Sequence, residues 1–194
     1  MSTLPFMPGS ERLVVVVGPS GAGKDSVLAG WRHRLGALPV HFAQRVVSRL
    51  ASANEQHEPI SACDFDRAVA AGEFATWWHA HGLRYGLRWR ELTPLGEDRW
   101  VVLNGSRAHL PSLRQQAPSL RVVELTAPPE LLARRLHARD REDAQSIARR
   151  LHRQPSVEAD YSISNDAHLS AAVEALHSWW RSLASPQNFA GSLN

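Results

Sequence analysis

The chain has 194 residues, 43% hydrophobic and 21% charged, with a formal net charge of +3. That size and mixture suit one globular α/β domain, and a single cysteine, Cys63, excludes a disulfide framework and points to the cytosol. The 22 basic residues form no long run and no aromatic–basic alternation, which argues against nucleic-acid or membrane partners, and no apolar stretch approaches the ~20 residues that span a bilayer.

Residues 1–11 read as a loose lead-in with Pro5, Pro8 and Gly9, without the basic start and apolar core of a secretory signal. An apolar strand follows over residues 13–17 and breaks at Gly18. Next come Gly18, Pro19, Ser20, Gly21, Ala22, Gly23, Lys24, Asp25 and Ser26, and then a helical face of Val27, Leu28, Trp31 and Leu35 that stops near Gly36. Strand, glycine loop, lysine, hydroxyl and helix is the order of a phosphate-binding loop. Glycines let successive backbone N–H groups curl around a polyphosphate, and the helix directs its positive end at the same anion. Lys24 would reach the outer phosphates of ATP, and Ser26 would hold Mg²⁺. The usual hydroxyl position directly after the lysine is occupied by Asp25. Lys24 is the only lysine among the 22 Lys and Arg residues, so the one compact ammonium stands where this chemistry needs a point charge.

Alternation predicts a second strand over residues 40–47, and a polar loop over residues 51–59. Ser61 followed by Asp64 resembles a capping box and opens a short helix with Phe65 and Val69 on one face, ending at Gly72. Residues 74–79 and 83–87 read as a β-hairpin. His79 and His81 in it are a possible metal pair, but no third ligand stands nearby, and polar hairpin residues are the better reading. Trp77 and Trp78, in the inserted hairpin, could line a substrate pocket, and core packing is the better reading. Residues 100–103 form a buried strand that ends in Asn104-Gly105-Ser106-Arg107. Residues 120–125 are the next strand, and Pro128-Pro129-Glu130 opens a helix. The densest basic stretch holds Arg134, Arg135, Arg139, Arg141, Arg149, Arg150 and Arg153 and straddles a polar segment. It reads as a lid whose arginines close on transferring phosphate. A short strand at residues 160–165 and a final helix carrying Val173, Leu176, Trp179 and Trp180 complete the chain.

Strand–loop–helix, an inserted helix and hairpin, two further strands and an arginine lid follow the order of the guanylate kinase-like P-loop family. The segments GPSGAGK, Tyr85-Gly86, RRLHAR…IARRL and ISND resemble that family directly, over about residues 12–183. The resemblance implies a P-loop NTPase α/β fold with a five-stranded parallel core (about 11–47, 95–133 and 154–185), a substrate-binding insertion (about 48–94) and a lid (about 134–153). It implies ATP and Mg²⁺ as cofactors, Lys24, Arg139 and Arg150 as catalytic residues, and Arg49 on the acceptor phosphate. Where the family grips guanine with acidic residues, this chain has Thr76 and Asn104. Guanine offers donors there, and neutral partners lose the charge-assisted part of the grip. GPSGAGKDS, HGLRYG and NGSRAHL are similar to a branch of the family that phosphorylates a ribose bisphosphate in bacterial phosphonate breakdown. For that acceptor Arg49, Arg84, Tyr85, Asn104 and Arg107 are the candidate residues. An ordinary guanylate kinase and a catalytically silent guanylate-kinase-like binding module are the two alternatives.

Overall fold

The computed structural model of the protein describes residues 7–49, 57–80, 82–139 and 157–184. Its central sheet has five parallel strands in the order β2-β7-β1-β8-β9, where β1 is Leu13–Val17, β2 Val40–Phe42, β7 Trp100–Asn104, β8 Arg121–Thr126 and β9 Tyr161–Ser164. β1 and β7 are buried along their whole length, which is why both read as unbroken apolar runs. The chain divides into two compact units, Val16–Leu38 with Val122–Asn194, and Met1–Val15 with Pro39–Arg121.

The first of these units carries the helices α1 (Lys24–Leu35), α4 (Pro129–Arg139) and α5 (Leu169–Ala184). α1 packs on α5 through Trp31 and Trp180, whose rings meet edge to face at 6.0 Å. A Cβ on Gly30 would stand 2.8 Å from Val173 Cγ2, so the two helices cross at a point where only a glycine fits without adjustment. The Trp31 indole donates to His177 Nδ1 at 3.4 Å, and Arg34 pairs with Glu174 at 2.7 Å on the rim. Trp31 and Trp180 are thus core, as their helical spacing indicates, while Trp179 stacks on Tyr161 at 5.7 Å.

The other unit carries a second, four-stranded sheet in the order β4-β3-β6-β5, with β3 Arg45–Val47, β4 His57–Pro59, β5 Phe74–Ala80 and β6 Leu83–Arg88. Helices α2 (Ala62–Ala70) and α3 (Leu110–Gln116) belong to the same unit. The single strand expected over residues 40–47 is two strands in two sheets. β2 runs parallel to β7, and β3 pairs with β4 and β6. The break is held by Glu91, which is 7% exposed and accepts from the Gln44 backbone N–H at 2.9 Å while meeting His41 Nε2 at 2.8 Å. Burial alone would raise the Glu91 pKa, but the bonds from Gln44 and His41 outweigh it and keep the carboxylate below its usual range. The expected loop over residues 51–59 likewise ends in a strand, because His57, Glu58 and Pro59 pair in parallel with Arg45, Val46 and Val47. A three-residue strand surrounded by polar residues carries no alternation by which to recognise it.

The cap of α2 forms as its sequence indicates: Ser61 Oγ accepts from the Asp64 N–H at 3.1 Å and donates to Asp64 Oδ2 at 2.6 Å. Phe65 is fully buried with Val46, Ala68 and Phe74, and Val69 packs against that cluster. The hairpin forms with antiparallel register Trp78↔Tyr85 and a bulge between Phe74 and Thr76. Trp77 is not core, being 41% exposed, whereas Trp78 is buried. Among the described residues no helix is long and apolar enough to cross a membrane.

Candidate active site

The glycine loop owes its shape to three positive-φ residues, Gly18 at 149°, Gly21 at 85° and Gly23 at 86°. A Cβ at Gly18 would lie 2.1 Å from the Leu125 carbonyl oxygen on β8, so the loop leaves β1 against bare backbone. Lys24 is the first residue of α1, and its Nζ donates to the Gly18 and Pro19 carbonyls at 2.9 and 3.1 Å. The ammonium thereby lies across the loop that it closes. Asp25 sits exposed in the first turn of α1, where a carboxylate is favoured by the helix dipole.

Two side chains brace this loop, Asn165 and Arg135. Asn165 follows β9 and is 4% exposed; its Nδ2 donates to the Ala22 carbonyl at 2.8 Å. A Cβ on Gly23 would stand 2.5 Å from that same Nδ2, so Gly23 and Asn165 fit only each other. Arg135 on α4 donates to the Gly21 carbonyl at 3.3 Å and to the Asn165 carbonyl at 3.1 Å. Arg135 was one basic residue among seven in the lid reading; here it fastens the phosphate loop. Only the recurrence of ISND in the related family hinted at Asn165. Beside the loop lies an open cavity of ≈ 450 Å³ lined by Gly21, Gly23, Ser26, Arg135, Asn165, Ala167 and Leu169. Its size is that of a small-molecule site. The backbone of Arg139 closes α4, but its side chain and all of Arg150 lie outside the described residues.

In the other unit the register of the second sheet separates two faces. Residues opposite one another across a ladder share a face, and neighbours along a strand do not. Val46, Glu58, Gly86 and Trp77 fall on one face together with Arg84, His79 and Arg88. This face packs on α2. Arg84 lies over the Phe65 ring at 5.0 Å, donates to the Ala62 carbonyl at 2.8 Å and pairs with Asp66. Arg88 pairs with Glu58 at 2.7 Å and also with Glu73. Its hydrogen bond pulls the Glu58 pKa below the usual value. Arg84 and Tyr85, both named as candidates for the acceptor, are strand neighbours and lie on opposite sides of the sheet, with Arg84 tied to α2.

Tyr85 shares the opposite face with Arg45, Val47, His57, Thr76, Trp78 and Leu87. Trp78 is stacked on Tyr85 at 5.6 Å and 12°, and on His109 at 4.8 Å and 13°. Arg45 lies over the Tyr85 ring at 5.6 Å. Arg49 donates to His57 Nε2 at 2.9 Å, which fixes the His57 proton on Nδ1, because a guanidinium can only donate. Thr76 Oγ1 and His109 Nε2 are 2.6 Å apart and both residues are buried. Burial lowers the His109 pKa to about 4, so the ring is neutral near pH 7. The position read as the first guanine contact is thus a hydroxyl already bonded to a neutral imidazole. Asn104 ends β7 and is buried, and Arg107 is half-buried in the turn before α3. Arg45, His57 and His109 were missed by sequence reasoning, because register puts Arg45 and His57 with Tyr85 and a stack on Trp78 puts His109 there. His79 lies on the other face with its ring 5.4 Å from Trp77, and His81 is outside the described residues. No group of three or more His, Cys, Asp or Glu among the described residues could hold a metal ion.

A buried β1, the glycine loop and Lys24 at the start of α1, within a five-stranded parallel sheet, define a P-loop fold of the guanylate kinase kind. A crystal structure of guanylate kinase from Anaplasma phagocytophilum is similar with a TM-score of 0.67 and 15% identity, covering 90% of this chain and 87% of that one. No family model matches the sequence. Ribose 1,5-bisphosphate phosphokinase PhnN from Acidiphilium cryptum is 46% identical over 171 residues, covering 87% of this chain and 92% of that protein. PhnN from Rhizobium etli is 44% identical over 172 residues, covering 86% and 87%. A bifunctional ribose 1,5-bisphosphokinase-thymidine phosphorylase from Azorhizobium caulinodans is 42% identical, but the chain spans only 25% of its length. The chain belongs to the ribose 1,5-bisphosphate phosphokinase PhnN family.

Proposed function

We propose that the protein transfers the γ-phosphoryl group of ATP to the 1-phosphate of ribose 1,5-bisphosphate, giving 5-phosphoribosyl 1-diphosphate and ADP, in phosphonate breakdown in the cytosol. The observation that carries this reading is the pairing of a complete phosphate loop with an acceptor region whose guanine-contact position, Thr76, is bonded to neutral His109. Relatives of nearly the same length that bear the name of this activity support it.

In the reaction an oxygen of the 1-phosphate bonds to the γ-phosphorus while the bond to the β–γ bridging oxygen breaks, and its electron pair leaves with ADP. The second pKa of a phosphate monoester is near ~6, so the nucleophile is already ionised at neutral pH and needs no general base. Catalysis is then positioning and neutralisation of charge. Lys24 would move from the Gly18 and Pro19 carbonyls to the outer phosphates, and the loop's N–H groups would hold the remainder. The cavity walls at Arg135, Ala167 and Leu169 suit the nucleoside part of ATP. Ser26, exposed and facing that cavity, fits as the residue that would hold Mg²⁺, which when bound neutralises the β- and γ-oxygens. Arg139 and Arg150 are the candidates for charge on the transferring group, and Arg49 and Tyr85 hold the acceptor, with Asn104 and Arg107 as further candidates.

The test is a competition between acceptors. With ATP and Mg²⁺, ³¹P NMR should show a new diphosphate on ribose C1 and little GDP from GMP. A site whose hydrogen-bond partners for a base are missing can discriminate by as much as ~10⁴-fold. Efficient GDP formation with no reaction of the sugar would make the chain a guanylate kinase, and no ADP release with either would make it a silent binding module.

A further inference from the structure

Resting on that reading of the reaction, we infer that Arg45 holds the phosphate of the sugar that does not react, the 5-phosphate, and so decides that the acceptor carries two phosphates. A bisphosphate whose two groups are separated by a ribose ring needs two cationic contacts on one surface. Arg49 can supply one. Arg84 cannot supply the other, because it lies on the α2 face with Asp66. Within the second sheet the register leaves Arg45, whose backbone pairs with His57 across the β3–β4 ladder, while the His57 ring receives Arg49 at 2.9 Å. Arg45 and His57 thus stand on one face of the sheet, and Arg49 reaches that imidazole.

The setting of Arg45 suits a phosphate ligand. The three-ring column of His109, Trp78 and Tyr85 ends beneath its guanidinium, at 4.8, 5.6 and 5.6 Å in succession. Arginine stacks on an aromatic face and keeps its planar fork directed outward for bidentate contact with phosphate oxygens, which lysine does not match. The column is also anchored at its far end, where Thr76 meets His109 at 2.6 Å. Its residues come from β5, β6 and the turn before α3, so the guanidinium rests on a platform and not on a flexible stem alone.

The experiment titrates two monophosphates, ribose 5-phosphate and ribose 1-phosphate, into the full chain by calorimetry, for the wild type, Arg45→Gln, Arg45→Lys and Arg49→Gln. Arg45→Gln should weaken ribose 5-phosphate by about 10- to 100-fold, the range of one lost charge-assisted contact, and leave ribose 1-phosphate unchanged. Arg45→Lys should fall between, and Arg49→Gln should do the converse. In turnover, Arg45→Gln should abolish the preference for ribose 1,5-bisphosphate over ribose 1-phosphate. Equal weakening of both ligands, or no weakening of either, or loss of ribose 1-phosphate alone overturns the assignment. A wild type that binds both sugars but forms no diphosphate would sink the proposed reaction while the Arg45 titration still decides this inference.

Discussion

The two faces of the second sheet use the same side chain in opposite ways. Toward α2, Arg84 and Arg88 are fastened to Asp66, Glu58 and Glu73, and the result is a helix held on a sheet. On the other face, Arg45 lies over Tyr85 and Arg49 over to His57, beside a column of stacked rings. Arg84 and Tyr85 are adjacent in sequence and end on different sides. A count of arginines near a substrate site therefore says little until the register is known.

The largest effect expected in this comparison sets its upper limit, a cation that serves only chemistry. Lys24→Ala should lower kcat by ~10³-fold or more with little change in melting temperature, since its Nζ bonds to the Gly18 and Pro19 carbonyls of the loop and does not pack in the core. Near-normal turnover at saturating ATP would remove Lys24 from the mechanism.

The Tyr85 face should show its own pH signature, set by His109. His109 has its pKa lowered to about 4, while in the unfolded chain it titrates near its ordinary value of 6.5. The unfolded state binds the extra proton first, so stability is complete above about pH 6.5 and falls as pH drops toward 4, by up to about 3 kcal/mol. Urea unfolding at several pH values, with the wild type and His109→Gln side by side, checks this. A slope that persists unchanged in the variant would assign it to other groups.

On the α2 face the effects are on stability and smaller. Ser61→Ala removes the cap bond to Asp64 and should cost about 1 kcal/mol without altering the KM for either substrate. Arg84→Gln should cost about 0.5–1 kcal/mol, as an ion pair at the surface of the sheet. It sharpens the comparison most directly: a raised KM for the sugar with unchanged stability would put Arg84 back among the acceptor residues.

The sequence by itself determined the phosphate loop. Its parts are contiguous, and each is dictated locally: an apolar β1, glycines where φ is positive and Lys24 at the start of α1; the Ser61 cap of α2 is local in the same way. β1 and β7 were legible for the same reason, because buried strands are unbroken apolar runs, while the five-stranded arrangement was implied by the family resemblance. Only the tertiary structure decided the acceptor surface and the bracing of the loop. The turn of the chain at Ala43–Gln44 depends on Glu91, distant in sequence, and it moves Arg45 out of the central sheet. A strand of three residues, such as β3 or β4, has no period of its own, and its facing is imposed by the partner strand. Asn165 and Arg135 reach the loop from more than a hundred residues away, through contacts that no local pattern encodes.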